Sequence, residues 1–136
     1  MFYQKGVGIF LMHKGKVLLV KRRKEPFKNY WEVPGGKLEQ GESLEKAVIR
    51  EAKEETNLLI KPLAEFAVII DHHYKFEVHL FLAEKISGQL INKEPANHAA
   101  VKFFFLNGLP HNTGKSTQRG IDKLIPLLNQ GTLLTK

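Results

Sequence analysis

The 136-residue sequence contains no cysteine, which excludes disulfides, thiolate zinc sites, CxxC redox chemistry and a cysteine nucleophile. It also lacks an apolar run of the roughly 20 residues a membrane-crossing helix needs. The apolar stretch at residues 6–12 is too short, and no small-residue cleavage pattern follows it. A cytoplasmic protein with no membrane partner is expected. Repeats, low-complexity runs and Gly/Ser linkers are absent as well, so residues 1–136 are read as one domain. Acid is the scarcer charge, with 14 Asp+Glu against 21 Lys+Arg and a net charge of +7. An excess of that sign points to nucleic acid, a membrane surface or a small polyanion, and composition does not choose among them.

The few acids are unevenly placed. Residues 36–58 hold six glutamates (Glu39, Glu42, Glu45, Glu51, Glu54, Glu55) against four bases, a net of −2 that leaves +9 for the rest of the chain. Around this segment the pattern reads as strands. Residues 7–12 and 17–20 are short apolar runs separated by His13-Lys14-Gly15-Lys16, a hairpin turn in which Gly15 supplies a positive φ. Pro34-Gly35-Gly36 is expected to break any regular element, either as an ordinary tight turn or to let backbone approach a ligand. Residues 66–70, 78–82 and 101–106 read as further strands. Ile121, Leu124, Ile125, Leu127 and Leu128 mark a terminal helix, with Pro126 expected as a kink or boundary. This order implies an α/β fold with a mixed sheet covered on both faces.

Residues 44–56 lack Gly and Pro, follow an N-cap serine, Ser43, and are closed by Asn57, a residue able to take the left-handed conformation. At about 100° per residue from Leu44, Ala47 and Val48 lie on the core stripe, and Glu51 and Glu55 return to that stripe at about 340° and 20°. Glu54 lies close by, while Lys46, Arg50 and Lys53 occupy the opposite side. Carboxylates at i, i+3 and i+4 repel one another. Two neutralising arrangements stand open: a hard divalent cation, for which carboxylate oxygens suit Mg²⁺ or Mn²⁺, or Arg50 and the lysines alone.

The residues Gly36, Glu42, Arg50, Glu51, Ala52, Glu54, Glu55, Asn57 and Leu58 carry a longer pattern. It resembles the signature of the Nudix hydrolase (MutT-like) family, G-x5-E-x7-R-E-U-x-E-E-x-G-U, with U a bulky aliphatic residue. Ala52 is smaller than the usual aliphatic and Asn57 stands for the final glycine. The resemblance implies an α/β/α sandwich with a mixed β-sheet, the Nudix fold, and Mg²⁺- or Mn²⁺-dependent hydrolysis of nucleoside diphosphates linked to another moiety. It maps metal ligands to Glu51, Glu54 and Glu55, with Glu42 as a weaker ligand or neighbour and the backbone of Gly36 as a further contact. Arg50 would orient a glutamate rather than touch substrate. The carboxylate that takes the proton of the attacking water would be Glu54, Glu55 or Glu94, and Glu94 has a plain reading as a solvated loop charge.

Substrate contacts are open on the same terms. Arg22, Arg23 and Lys37 are candidate phosphate or base ligands, or simply surface charge. Phe27, Tyr30 and Trp31 offer stacking faces but equally suit a core. Tyr74, sixteen residues beyond the signature, resembles the diadenosine polyphosphate subgroup, while the stretch from Trp31 to Glu42 resembles enzymes that sanitise nucleotide pools. His72, His73 and His79 lack the i, i+4 spacing of a helical zinc site. The leading expectation is a pyrophosphohydrolase of (d)NTPs, including oxidised or damaged ones, that releases a nucleoside monophosphate and pyrophosphate. Diadenosine polyphosphate, ADP-ribose and capped-RNA hydrolysis are the alternatives within the family. The rival outside it is a basic nucleic-acid-binding domain without catalysis. Dispersed basic residues, with no RNA-reading motif, argue against a long nucleic acid and for a small nucleotide as partner.

Overall fold

A computed structural model describes residues 3–131 of the chain. Among them the elements are β1 (Gln4–His13), β2 (Lys16–Arg22), β3 (Trp31–Glu32), β4 (Gly35–Lys37), α1 (Leu44–Thr56), β5 (Leu59–Asp71), β6 (Phe76–Ser87), β7 (His98–Phe105) and α2 (Lys115–Asn129). The β1–β2 turn is built on Lys14 and Gly15, both at positive φ, with His13 facing Lys16. That is the two-residue hairpin anticipated from the sequence.

β1 and β2 pair only beside this turn, at Met12 with Val17 and His13 with Lys16, and then part. The gap between them is filled by residues 31–37. β3 pairs with β2, and β4 pairs with β1. The break expected at Pro34-Gly35-Gly36 is confined to Val33 and Pro34, between β3 and β4, and the two glycines lie in a strand instead. These glycines form a strand because they lack side chains: a Cβ on Gly35 would run into the Val7 carbonyl. On the other edge of β1, β6 runs parallel to it, from Gln4 opposite Phe76 to Met12 opposite Glu84. β5 then pairs antiparallel with β6, and β7 pairs antiparallel with β2, completing a mixed sheet.

The strands alternate their side chains between two cores. Val7, Ile9, Leu11, Leu18, Phe81 and Ala83 pack under α1 with Ala47, Val48 and Ala52. Phe10, Val17, Leu19, Leu80 and Leu82 pack under α2 with Ile121 and Leu124. Burial on both faces explains why these strands read as unbroken apolar runs. The result is the mixed sheet covered on both faces that the pattern of elements implies, and the α/β/α sandwich that the family resemblance implies.

β5 and β6 are much longer than their apolar segments. Lys61, Pro62 and Glu65 interrupt β5, whose pairing slips near Leu59, Pro62 and Glu65 and so loses a simple alternation. Pro62 is accommodated because, among the described residues, β5 pairs with β6 alone and leaves its other edge without a partner strand. α2 continues to Asn129, so Pro126 lies in its last turn and the boundary falls beyond it.

Candidate active site

The site begins with the ends of α1. Ser43 accepts the Lys46 N–H at its N-terminus, and Asn57 closes it at φ 68° with its own N–H bonded to the Lys53 carbonyl. This fixed helix sets Glu51, Glu54 and Glu55 on its last turns. Arg50 gathers them. Its Nε and Nη2 donate to both oxygens of Glu42 at 2.7 and 2.9 Å, and Nη1 donates to Glu51 at 2.7 Å and Glu54 at 3.0 Å. Nη2 also donates to the Lys37 carbonyl at 3.0 Å. All five guanidinium hydrogens are thereby used. Glu42 is held down to about 2, first by Arg50 and then by the Glu39 N–H.

Glu55 has a different environment. It is 3% exposed, and its Oε2 accepts the Gly35 N–H at 3.1 Å. Burial, a hydrogen bond with Glu51 and the charges of Glu51 and Glu94 push it up to about 10, against the pull of the Gly35 N–H. At that value the carboxyl keeps its proton at neutral pH. Gly36 makes room for Glu51, since a Cβ there would sit 2.6 Å from Glu51 Oε2. The Gly36 carbonyl oxygen lies instead beside Gly6 of β1.

The loop before β7 supplies the opposite wall. Asn97 and His98 both donate their N–H to the Glu94 carbonyl at 2.9 Å, a turn that sets the two side chains four residues apart on one side. Lys93 N–H donates to the Glu55 carbonyl at 3.1 Å, and Arg23 Nε donates to the Pro95 carbonyl at 2.8 Å, pinning the loop from two directions. Ligand atoms of Glu55, Glu94 and His98 come within 4.8 Å of one another. Burial lowers the His98 ring below its ordinary value, so it is neutral at pH 7.

Two cavities meet here. One of about 240 Å³ is lined by Arg22, Lys24, Gly35, Glu51, Glu55, Glu94, Asn97 and His98. It shares Arg22, Gly35, Glu55 and His98 with a second of about 700 Å³. The larger space has an apolar floor of Phe10, Ile69, Val78 and Leu80, with the exposed rings of Phe27 and Tyr74 and the Lys37 side chain around it. Glu32 also lines it, raised by burial and opposed by Arg22.

The structure thus brings together Glu51, Glu55, Glu94, Arg22, Lys37 and Tyr74 from the residues singled out in the sequence. Glu42 and Glu54 lie on the Arg50 side and line neither cavity, and Arg23 ties down the Glu94 loop. Trp31 packs edge-on to Phe104. His79 is taken up by Glu65 and Glu77, and His72 by Tyr3. Sequence reasoning missed His98, Lys24, Glu32 and the Gly35 N–H. Only His98 had a readable signal, its spacing of four from Glu94 across a Pro-containing loop.

The chain belongs to the Nudix family: the model of the NUDIX domain matches residues 2–125. It is 39% identical over 99 residues to an ADP-ribose pyrophosphatase of Methanocaldococcus jannaschii, a match that takes in 70% of this chain and 57% of that protein. The chain therefore spans less than two thirds of that relative. It is 31% identical over 106 residues to an 8-oxo-dGTP diphosphatase of Buchnera aphidicola, covering 77% of this chain and 78% of the other. Among solved structures, a MutT NUDIX hydrolase from Burkholderia pseudomallei superposes with a TM-score of 0.82 at 30% identity, over 89% of this chain and 97% of that one.

Proposed function

We propose that this chain hydrolyses a pyrophosphate linkage in a small nucleotide. Its substrates would be nucleoside triphosphates, oxidised ones included, with a nucleoside monophosphate and pyrophosphate as products. The observation that carries this reading is the pair of joined cavities, one acidic and lined by buried Glu55, the other apolar with aromatic rings at its margin. The first suits a polyphosphate with its cations and the second a base.

The donor set fits a hard divalent cation. Glu51, Glu55 and Glu94 offer carboxylate oxygens, and Glu55, buried and protonated without a cation, would be stabilised in its ionised form by one. Mg²⁺ or Mn²⁺ would be held by Glu51 and Glu55, and when bound it draws charge from phosphate oxygens and acidifies water. The protein's own residues do the rest. Arg50, with Glu42 and Glu54, holds Glu51 in place. Gly35 N–H orients Glu55. Glu94, on its pinned loop, accepts the proton of the attacking water, Arg22 and Lys24 face the phosphate chain, and Lys37 lies at the margin of the base cavity. Phe27 and Tyr74 flank the base.

A second reading, ADP-ribose cleavage to AMP and ribose 5-phosphate, is favoured by the name of the archaeal relative. A panel of dNTPs, 8-oxo-dGTP, ADP-ribose, diadenosine tetraphosphate and nucleotide sugars separates the two. The expected result is monophosphate and pyrophosphate from triphosphates, abolished by EDTA, with Glu94→Gln lowering kcat by about 10²–10⁴-fold. Preferred cleavage of ADP-ribose would move the assignment to the second reading, and inertness toward every nucleotide with both cations would overturn both.

A further inference from the structure

His98 stands apart from the other histidines whose contacts are described. Its side chain is 11% exposed and its Nδ1 is buried with no hydrogen-bond partner. Its Nε2 lies 3.5 Å from Glu55 Oε1, too long for a hydrogen bond. His79 shows what a structural imidazole does in this fold: its two nitrogens meet Glu65 and Glu77 at 2.6 and 2.7 Å. A buried imidazole nitrogen without a partner goes against the rule that buried polar groups find partners, and the ring's other nitrogen, Nε2, is the one that faces Glu55.

We propose that His98 gives an imidazole nitrogen to the cation held by Glu55, making a mixed nitrogen and oxygen centre that prefers Mn²⁺ or Co²⁺ over Mg²⁺. This rests on the cation site proposed above. The ring is placed for it, because its ligand atom and those of Glu55 and Glu94 lie within 4.8 Å of one another. The 3.5 Å spacing from Glu55 is close to the separation of about 3.0–3.4 Å that two donors adopt around a shared ion about 2.1 Å from each. The backbone holds the ring there through the Glu94 turn and the Asn92 Nδ2 donation to the His98 carbonyl at 2.9 Å. Imidazole suits later first-row metals, while Mg²⁺ favours oxygen and keeps its waters, so one nitrogen shifts the preference.

Pulsed electron paramagnetic resonance of the full chain loaded with Mn²⁺ tests this. The wild-type protein is expected to show nitrogen coupling from a bound imidazole, which changes to the ¹⁵N pattern when only histidine is labelled. His98→Gln should lose the coupling, and its preference for Mn²⁺ over Mg²⁺, measured by calorimetric titration, should fall roughly tenfold or more. Bound Mn²⁺ without histidine coupling, or coupling that persists in His98→Gln, overturns the proposal and leaves the hydrolytic centre standing. Failure of the wild type to bind Mn²⁺ at all overturns both. If His98→Gln does not fold, the isotope-labelled wild type decides alone.

Discussion

At the scale of single residues, Glu55 and Glu42 show how one residue type acquires opposite properties in one protein. Glu42 is clasped by both edges of Arg50 and stays ionised. Glu55, shielded from water and set among carboxylates, is raised from 4.5 to about 10. Between those values the folded, cation-free protein keeps a proton that the unfolded chain has released, so stability falls as pH rises through that window. Thermal melts in EDTA should therefore show a Tm that declines from about pH 5 toward pH 9, and Glu55→Gln should flatten the decline. A wild-type Tm that stays level or climbs over that range would remove Glu55 as the buried acid. With a cation present the trend is expected to reverse, because ligation requires the ionised form and binding releases the proton.

The decisive element is α1, whose C-terminal turns carry the acidic residues at the end where the helix dipole is already negative. The dipole disfavours that placement, which is offset within the helix by Arg50, whose Nη1 reaches Glu51 and Glu54, and is proposed to be offset further by a cation. The helix end itself depends on Asn57, held at φ 68° and donating through Nδ2 to the Gln89 carbonyl at 3.0 Å. Asn57→Ala is expected to cost about 1–2 kcal/mol, since a side chain without a local hydrogen bond resists the left-handed conformation. Urea unfolding measures it, with Asn57→Gly as the control that keeps the conformation, and equal stability of the two variants would refute the cap. Ala52, smaller than the aliphatic residue common in the signature, is 1% exposed against the sheet and packs in the α1-side core.

For the whole molecule, the net charge of +7 resolves into an acidic segment and a basic surround, and Arg22 and Lys24 bring part of that surround to the joined cavities. Such a field draws polyanions toward the site and is screened by salt. Raising the ionic strength until the Debye length falls from about 10 Å to about 3 Å should lower kcat/KM for a triphosphate more than for the less charged ADP-ribose. Equal salt sensitivity for the two would show that the surround plays no part in capture.

The α/β class, the hairpin at Gly15, the limits of α1 and the acidic signature were all legible in the chain itself. Each depends on local conformational preference or on spacing within one element: a left-handed Gly15 or Asn57, a capped helix free of Gly and Pro, glutamates at one helical phase. The length of β5, the strands on either side of Pro34 and the turn that sets His98 beside Glu94 were not. Pairing with a neighbouring strand, or bonding across a loop, decides those, and no local preference encodes a partner distant in sequence. The division of the glutamates belongs to the same class. The signature grouped Glu51, Glu54 and Glu55 as ligands; only the folded chain, by burying Glu55 against Gly35 and leaving Glu54 half exposed beside Arg50, gave them different burial and different neighbours.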